Sequence, residues 1–286
     1  MKILAMATCH NRKNKTIGAL KALHSQSALN HVKLDVVLVN DGCTDGTVEA
    51  VREAYPEIHI IHGDGKLYWA GGMRAAWDYV KRENLDFDQL LVFNDDIDLY
   101  ETALETLLED HNLLSRDGIR EIAVTGNFLD PAKKVITYGG WVRSSRWHPL
   151  RMSLDSSNLE LEKPTVVDTL NMNFSLINRQ AIERNGFLAD YFVHHGADFE
   201  FGLRVTKSGG VVASSSKVVG TCERNSLVGT SLEPGLRRAE RLKRLLSMKE
   251  EPPKQRYLFY RKWGGPFGTL LFAAPYVRAF FSKLSE

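Results

Sequence analysis

Four short apolar runs, each ending abruptly in polar residues, constrain this chain more than any other feature. ILAMA (3–7) leads to Thr8, His10, Asn11 and Arg12, and LDVVLVN (34–40) leads to Asp41. EIHIIHG (57–63) leads to DGKLYWAGG, and QLLVFND (89–95) leads to Asp96 and Asp98. Continuous apolar runs of this length suit strands buried on both faces. Between them the spacing turns helical: Ile17, Leu20, Ala22 and Leu23 within 16–29, Val48 and Val51 after the turn DGCTDGT, and GGMRAAWDYVKRE. Thr44 or Asp45 is placed to cap the second of these helices. Strand alternating with helix implies right-handed crossovers and a parallel sheet.

The fourth run raises an electrostatic problem. It drives an apolar strand into Asn94, Asp95, Asp96 and Asp98. Neighbouring carboxylates repel, and burying them is costly unless a positive group sits among them. In an open parallel sheet, ligands bind at the C-terminal strand ends, so these polar residues are expected to converge on one crevice. Paired carboxylates suit a hard cation, Mg2+ or Mn2+, that bridges to a substrate diphosphate and neutralises charge on a departing phosphate. The competing reading is that the acidic residues offset the dipole of the helix that follows; the company of the other strand ends favours the metal. No GxxxxGK[ST] follows any strand and no GxGxxG follows the first, which sets aside the P-loop and dinucleotide-binding folds.

Beyond Asp98 the rhythm changes. ETALETLLEDHNLL reads as a helix, and EIAVTGNFL and KVITYGGWV read as strands separated by DPAK. DTLNMNFSLINRQAIERNG reads as a strand and then a helix closed by Gly186. Residues 144–164 are polar and aperiodic, as in a long surface loop.

TCHNR, VNDGCTDGT, YWAGGMRAAW, FNDDI and HHGADFEFGLR, in this order and spacing, resemble a family 2 glycosyltransferase over residues 1 to about 222. The resemblance implies the GT-A fold: an α/β, Rossmann-like, open and mostly parallel sheet flanked by helices. It also implies inverting transfer of a sugar from a nucleotide diphosphate donor to an acceptor hydroxyl. By position, Thr8, His10 and Arg12 match residues that hold the base and pyrophosphate. Asp41 matches the acidic residue on the nucleobase or ribose, and Trp69, Gly71 and Gly72 match a donor-contacting loop. Asp95 and Asp96 match the DxD-like pair, with Asp96 as the metal ligand and Asp98 as an open second ligand. Asn94 stands where a first carboxylate is common, and Ala197 stands where the family often has Glu. Asp198 matches the base that takes the acceptor proton, with Glu200 as the alternative. The competing role for these two is to favour a helix start or, for one of them, to pair with Arg204, at i+4 from Glu200. A late metal-binding His is absent near Thr221 and Cys222. His194 and His195 read as structural, and Tyr138, Trp141 and Trp147 as packing residues before sugar-stacking ones.

Composition decides the rest. The chain has 286 residues, and its net charge of +2 hides an asymmetry. Residues 223–286 carry thirteen Lys or Arg against six Asp or Glu, while residues 1–222 carry 24 against 29. This gives an expected division into a glycosyltransferase domain (1–222) and a basic, aromatic helical tail (223–286). EPGLRRAERLKRLLSMKEEPP reads as a basic helix stopped by Pro252 and Pro253, with Leu236, Ala239, Leu242, Leu245 and Leu246 near one face. The uncharged stretch from Trp263 to Val277 is short of the ~20 residues of a membrane span. Its flanking aromatics and cations suit either a membrane interface or a helical pair docked on the domain. Three cysteines without metal-like spacing suit a reducing cytoplasm. The expected partners are a nucleotide-sugar donor and a glycan or lipid-linked acceptor, with possible contact at the inner membrane face and no nucleic acid. The expected role is surface polysaccharide or glycolipid assembly, the alternative being a non-catalytic nucleotide-sugar binder.

Overall fold

The computed structural model describes residues 1–145, 147–156, 163–248 and 250–281. The four apolar runs form β1 (Lys2–Cys9), β2 (Lys33–Asn40), β3 (His59–His62) and β4 (Gln89–Phe93). They lie in the order β3-β2-β1-β4, all parallel. The connections are α1 (Lys13–His24), α2 (Thr47–Ala54) and α3 (Tyr68–Arg82). α1 is displaced from the expected 16–29: it starts three residues earlier and ends at His24, and a separate 3-10 turn covers Ser27–Asn30.

The second half departs from the parallel pattern. After the two-residue β5 (Asp98–Leu99) come α4 (Ala103–Arg116), β6 (Ile122–Leu129), β7 (Ile136–Tyr138), β8 (Gly140–Arg143), β9 (Met152–Leu154), β10 (Thr165–Val167), β11 (Thr169–Leu170) and β12 (Phe174–Asn178). α5 (Arg179–Asn185), α6 (Ala197–Lys207) and β13 (Val211–Thr221) follow. β12 inserts antiparallel between β4 and β6, and β13 runs parallel to β6. β11, β8 and β9 make a small antiparallel sheet of their own.

Each buried strand splits its residues between two cores. Ile3, Ala5, Ala7 and Cys9 face one side with Leu20 and Leu23 of α1 and Leu104 and Leu107 of α4. Leu4 and Met6 face the other with Ala70, Met73 and Ala76 of α3 and Phe201 and Val205 of α6. The two-residue period of a strand forces this split, so a strand apolar on both faces needs helices on both. The result is the expected α/β, open-sheet architecture with helices on both faces.

Several expectations need correction. KVITYGGWV is two strands: the chain breaks at Gly139 (φ +154°) and passes from the large sheet to the small one. The stretch expected as a loop over 144–164 contains β9, while 157–162 lie outside the described residues. α2 is entered through Gly46 in the left-handed conformation, not through Thr44 or Asp45; the Asp45 carboxylate sits one residue further out and accepts the amides of Thr47 and Lys13. The basic helix, α7 (Arg238–Leu245), ends well before Pro252, and of its apolar face only Leu245 is buried. It is followed by α8 (Pro253–Trp263) and α9 (Gly268–Phe281).

α3 approaches β1 too closely for any side chain at Gly72, where a Cβ would lie 2.5 Å from Thr8 Oγ1 and 2.9 Å from Thr8 Cβ. Overpacking of this kind costs about 1–3 kcal/mol, against about 0.5–1 kcal/mol gained by Ala over Gly inside a helix. Gly72→Ala is expected to lower unfolding stability by about 1–2 kcal/mol in a denaturant titration, the overpacking outweighing the helix gain.

Candidate functional site

The site begins with Arg12. The chain leaves β1 through Asn11, held at φ +50° with its side chain accepting the Thr44 amide at 2.7 Å. That turn sends the Arg12 guanidinium across to the end of β4, where it lies 3.2 Å from Asp95 and 2.9 Å from Asp96. Thr16 Oγ1, at 3.3 Å, also reaches Asp95. The chain therefore supplies its own positive partner for the strand-end carboxylates. Asp95 is buried, and that burial pushes its pKa up to about 6 although Arg12 pulls against it. Burial also works against the charge on Arg12, but the two carboxylates outweigh it and the net shift is upward. Asp96 is more open, with 17% of its side chain exposed. Asp98 is not gathered in: it is exposed on β5, paired with Thr221 of β13, because the strand-face parity ends with β4 at Phe93.

Asp41, at the end of β2, is buried and spent on backbone. Its Oδ1 accepts the Gly65 amide at 2.8 Å, and its Oδ2 accepts the Leu67 and Tyr68 amides at 3.0 and 3.1 Å. Three donors on one carboxylate fix the GDGKLY loop above the sheet. The close approach needs glycine: a Cβ on Gly42 would lie 2.8 Å from Gly65 Cα, and one on Gly63 would lie 2.6 Å from Asp41 Oδ1. Tyr68 is held at φ +54°, a strained conformation for an aromatic residue. His10 Nδ1 donates to the Asp41 carbonyl at 2.5 Å. Trp69, Gly71 and Gly72 lie in the first turns of α3, not in a loop. Trp69 Nε1 donates to Asn94 Oδ1 at 2.9 Å, tying α3 to the end of β4, whereas Gly72 packs on Thr8.

The acceptor-motif residues part company. Asp198, in the first turn of α6, receives its own helix's Phe199 amide at 2.8 Å, Asn171 Nδ2 at 3.3 Å and the Met172 amide at 3.4 Å. The residue keeps some exposed surface, yet its carboxylate lies deep among neighbours. Burial pushes its pKa up, opposed by these three bonds and by the nearby His195. Glu200 is fully buried and turns away, with Arg204 at 2.7 Å on one oxygen and Lys262 of α8 at 2.7 Å on the other. Asn94 and Asp198 are joined through the β11–β12 connection, since the Asn94 amide donates to the Asn173 carbonyl at 2.9 Å one residue from Met172. Asp41, Trp69, Asn94 and Asp198 thus belong to one hydrogen-bonded rim at the C-terminal end of the sheet. Two surface cavities of about 490 and 570 Å³ lie elsewhere. The larger is lined by Asp88 and Gln89 at the start of β4, the wrong end of a parallel sheet for a ligand.

The architecture is shared with solved glycosyltransferases. A mannosyltransferase from Pyrobaculum calidifontis, in complex with GDP-Man and Mn2+, superposes with TM-score 0.57 at 17% identity, over 96% of this chain and 69% of its own. Residues 1–349 of TarS from S. aureus superpose with TM-score 0.52 at 12% identity, over 98% and 81%. At these identities the likeness is one of fold. No curated protein matches the sequence. The family profile described as glycosyl transferase family 2 matches residues 6–123. Over those residues the chain is similar to glycosyl transferase family 2. The matched stretch ends inside β6, so everything beyond it, Asp198 included, stands on its geometry.

Among the described residues, no three His, Cys, Asp or Glu side chains are grouped to hold a metal. The donor set still fits a hard cation completed by substrate: Asp96 offers a partly exposed carboxylate, and Mg2+ or Mn2+ commonly binds one or two carboxylates with phosphate and water making up the rest. Cys222 does not fit, because burial and the nearby Asp96 push its thiol up to about 12 and keep it protonated. Thr16, Asn171, Asn173 and Arg74 are site residues that carry no sequence signal of their own. Asn171 also accepts Trp141 Nε1 at 2.6 Å, which places Trp141 beside Asp198.

Asp41→Ala removes the acceptor of three half-buried amides at once. A loss of about 2–4 kcal/mol of unfolding stability is expected. Asp41→Asn, which keeps one accepting oxygen, is expected to fall between the two in the same titration.

Proposed function

We propose that this glycosyltransferase moves a sugar from a nucleotide diphosphate donor to an acceptor hydroxyl with inversion at the anomeric carbon. The single observation that carries the reading is that Asn94, next to the Asp95 and Asp96 that Arg12 holds, donates its amide to Asn173 in the connection whose Met172 amide and Asn171 side chain hold Asp198. In this reading Thr8, His10, Arg12, Asp41, Trp69, Gly71, Gly72 and Asp95 form the donor side. Several act by shape: Asp41 builds the loop, Gly72 lets α3 close on β1, and Arg12 offers a half-exposed guanidinium for which phosphate oxygens compete with two carboxylates. Asp96 would hold Mg2+ or Mn2+, which when bound supplies charge neutralisation at the leaving diphosphate. Asp198 takes the proton from the acceptor hydroxyl, Asn171 and the Met172 amide fix its carboxylate, and Glu200 is held by its two cations in a structural role.

The division at 222/223 and the role of the basic tail belong to the same proposal. No helix among the described residues is long and apolar enough to cross a membrane. α9 instead presents an outward apolar stripe, with Leu270 68%, Val277 51% and Phe281 71% exposed, continued by Phe267 at 53%. Exposed Lys243, Lys254, Arg261 and Arg278 lie on the same C-terminal helices. Apolar side chains among cations fit an anionic lipid surface. This supports the reading of a cytoplasmic enzyme at the inner membrane face, with a lipid-linked or glycan acceptor in surface polysaccharide or glycolipid assembly. The donor is a hexosyl or deoxyhexosyl nucleotide.

Asp198→Ala is expected to lower kcat by about 10²–10⁴ in a transfer assay, and Asp96→Ala to remove the response to added Mn2+. Full activity in both variants overturns the mechanism, and nucleotide-sugar binding without turnover across a broad acceptor panel assigns the chain to a non-catalytic binder. Because the base must be ionised, activity is lost as pH falls through the raised Asp198 pKa. The Asn171 bond lowers that pKa, so Asn171→Ala is expected to move the acidic limb of the kcat profile to higher pH. Flotation with anionic vesicles is expected for the full chain and not for the double variant Leu270→Asp, Phe281→Asp; equal flotation removes the membrane assignment.

A further inference from the structure

The C-terminal helices do more than lie against the domain. The segment joining α5 to α6 carries the residues just ahead of Asp198, and its backbone is held from two sides. On the donor side, the Val193 carbonyl accepts the Ala70 and Gly71 amides at 3.1 and 3.4 Å. Arg74 donates to the carbonyls of Ala189 and Phe192 at 3.1 and 2.6 Å. On the opposite side stands Gln255 of α8, only 2% exposed. Its Oε1 accepts the Val193 amide at 3.1 Å and its Nε2 donates to the His195 carbonyl at 2.9 Å. One side-chain amide thereby pairs with the backbone as a neighbouring strand would. Phe259, one turn further along α8, packs edge-on to Phe192 with ring centres 6.0 Å apart.

A second contact lies just past Asp198. Glu200 is fully buried, and Lys262, at the far end of α8, supplies one of its two cationic partners. A buried carboxylate stripped of a partner is costly, so α6 and α8 are bound to move together. The two contacts of α8 bracket Asp198, at His195 before it and at Glu200 after it. Between them Gly196, in the left-handed conformation (φ +87°), stands just ahead of α6, so the backbone at 193–196 sets where the first turn of α6 points.

We propose that Gln255 and Lys262 are positioning residues for Asp198, which makes α8 a structural part of the acceptor side of the site. The inference rests on the assignment of Asp198 as the base. It concerns orientation: neither side chain contacts a donor-side side chain, and the donor side meets Gln255 only through the backbone of Val193.

The test uses the full-length protein with Gln255→Glu, Lys262→Met and Lys262→Arg. Gln255→Glu keeps the acceptor for the Val193 amide and turns the donor to His195 into a repelling oxygen. In Gln255→Glu and Lys262→Met, kcat is expected to fall about tenfold or more, as displacement of a catalytic group of order 1 Å does. The donor KM is expected to stay within about twofold, the mark of an interaction felt in the chemical step alone. Hydrogen exchange over 193–201 is expected to quicken, and Lys262→Arg to recover most of the lost kcat. Unchanged kcat, with or without faster exchange, overturns the proposal, as does a loss confined to donor KM. If Gln255→Glu does not fold, Lys262→Met, at a side chain 42% exposed, decides alone. Retained activity in Asp198→Ala would count against the base assignment itself, and the exchange measurement, which needs no turnover, separates that result from a failure of the α8 coupling.

Discussion

A guanidinium between two carboxylates at the end of β4 is the interaction on which the strand-end crevice depends. The sheet drives apolar residues through its centre and can present charge only at its edge. Arg12 makes the arrangement affordable by bringing a cation from the neighbouring strand end. The balance is incomplete, since Asp95 still ionises with difficulty after Arg12 has done its part. Under the proposed reading, phosphate would compete for Arg12, and the carboxylate that Arg12 releases would be free to hold a divalent cation.

Connectivity extends from this pair in both directions. Asp41 fixes the loop that carries Tyr68, and the next residue, Trp69, reaches Asn94. Asn94 meets the β11–β12 connection, whose Asn171 and Met172 meet Asp198. The 189–195 segment closes the circuit by accepting the first amides of α3. Donor loop, strand-end carboxylates and candidate base are thus joined through short polar links, several of them backbone amides that no side-chain substitution can supply. On the same route Tyr68 holds a left-handed backbone that an aromatic residue rarely adopts.

The legible part of the sequence is the part governed by short-range rules. β1 to β4 were visible because strands buried on both faces must be continuously apolar, and α1 to α3 because their core faces repeat with helical period. Their polar ends marked the crevice for the same reason. Legibility failed where long-range pairing decides: KVITYGGWV is a single apolar run by composition, and only the presence of two different sheets divides it. Asp41 shows a subtler gap. Its position was readable, but its three amide partners lie about 24 to 27 residues away and carry no side-chain signature. Glu200 and Asp198 look alike in sequence as acidic residues of a first helical turn. Their different surroundings, two cations for one and neutral amides for the other, come from elements packed against α6.

By itself, then, the sequence determined the alternation of buried strands and helices, the edge on which polar chemistry had to gather, and the basic, aromatic character of the C-terminal region. Those follow from periodicity and charge, which are local properties of the chain. Tertiary structure alone decided that Arg12 meets Asp95 and Asp96, that Asp41 builds a loop, that β12 enters antiparallel, and that α8 reaches back to hold the segment ahead of Asp198. The physical reason is common to all four: each joins groups far apart along the chain, and only the closing of the sheet and its helices brings a donor within reach of its acceptor.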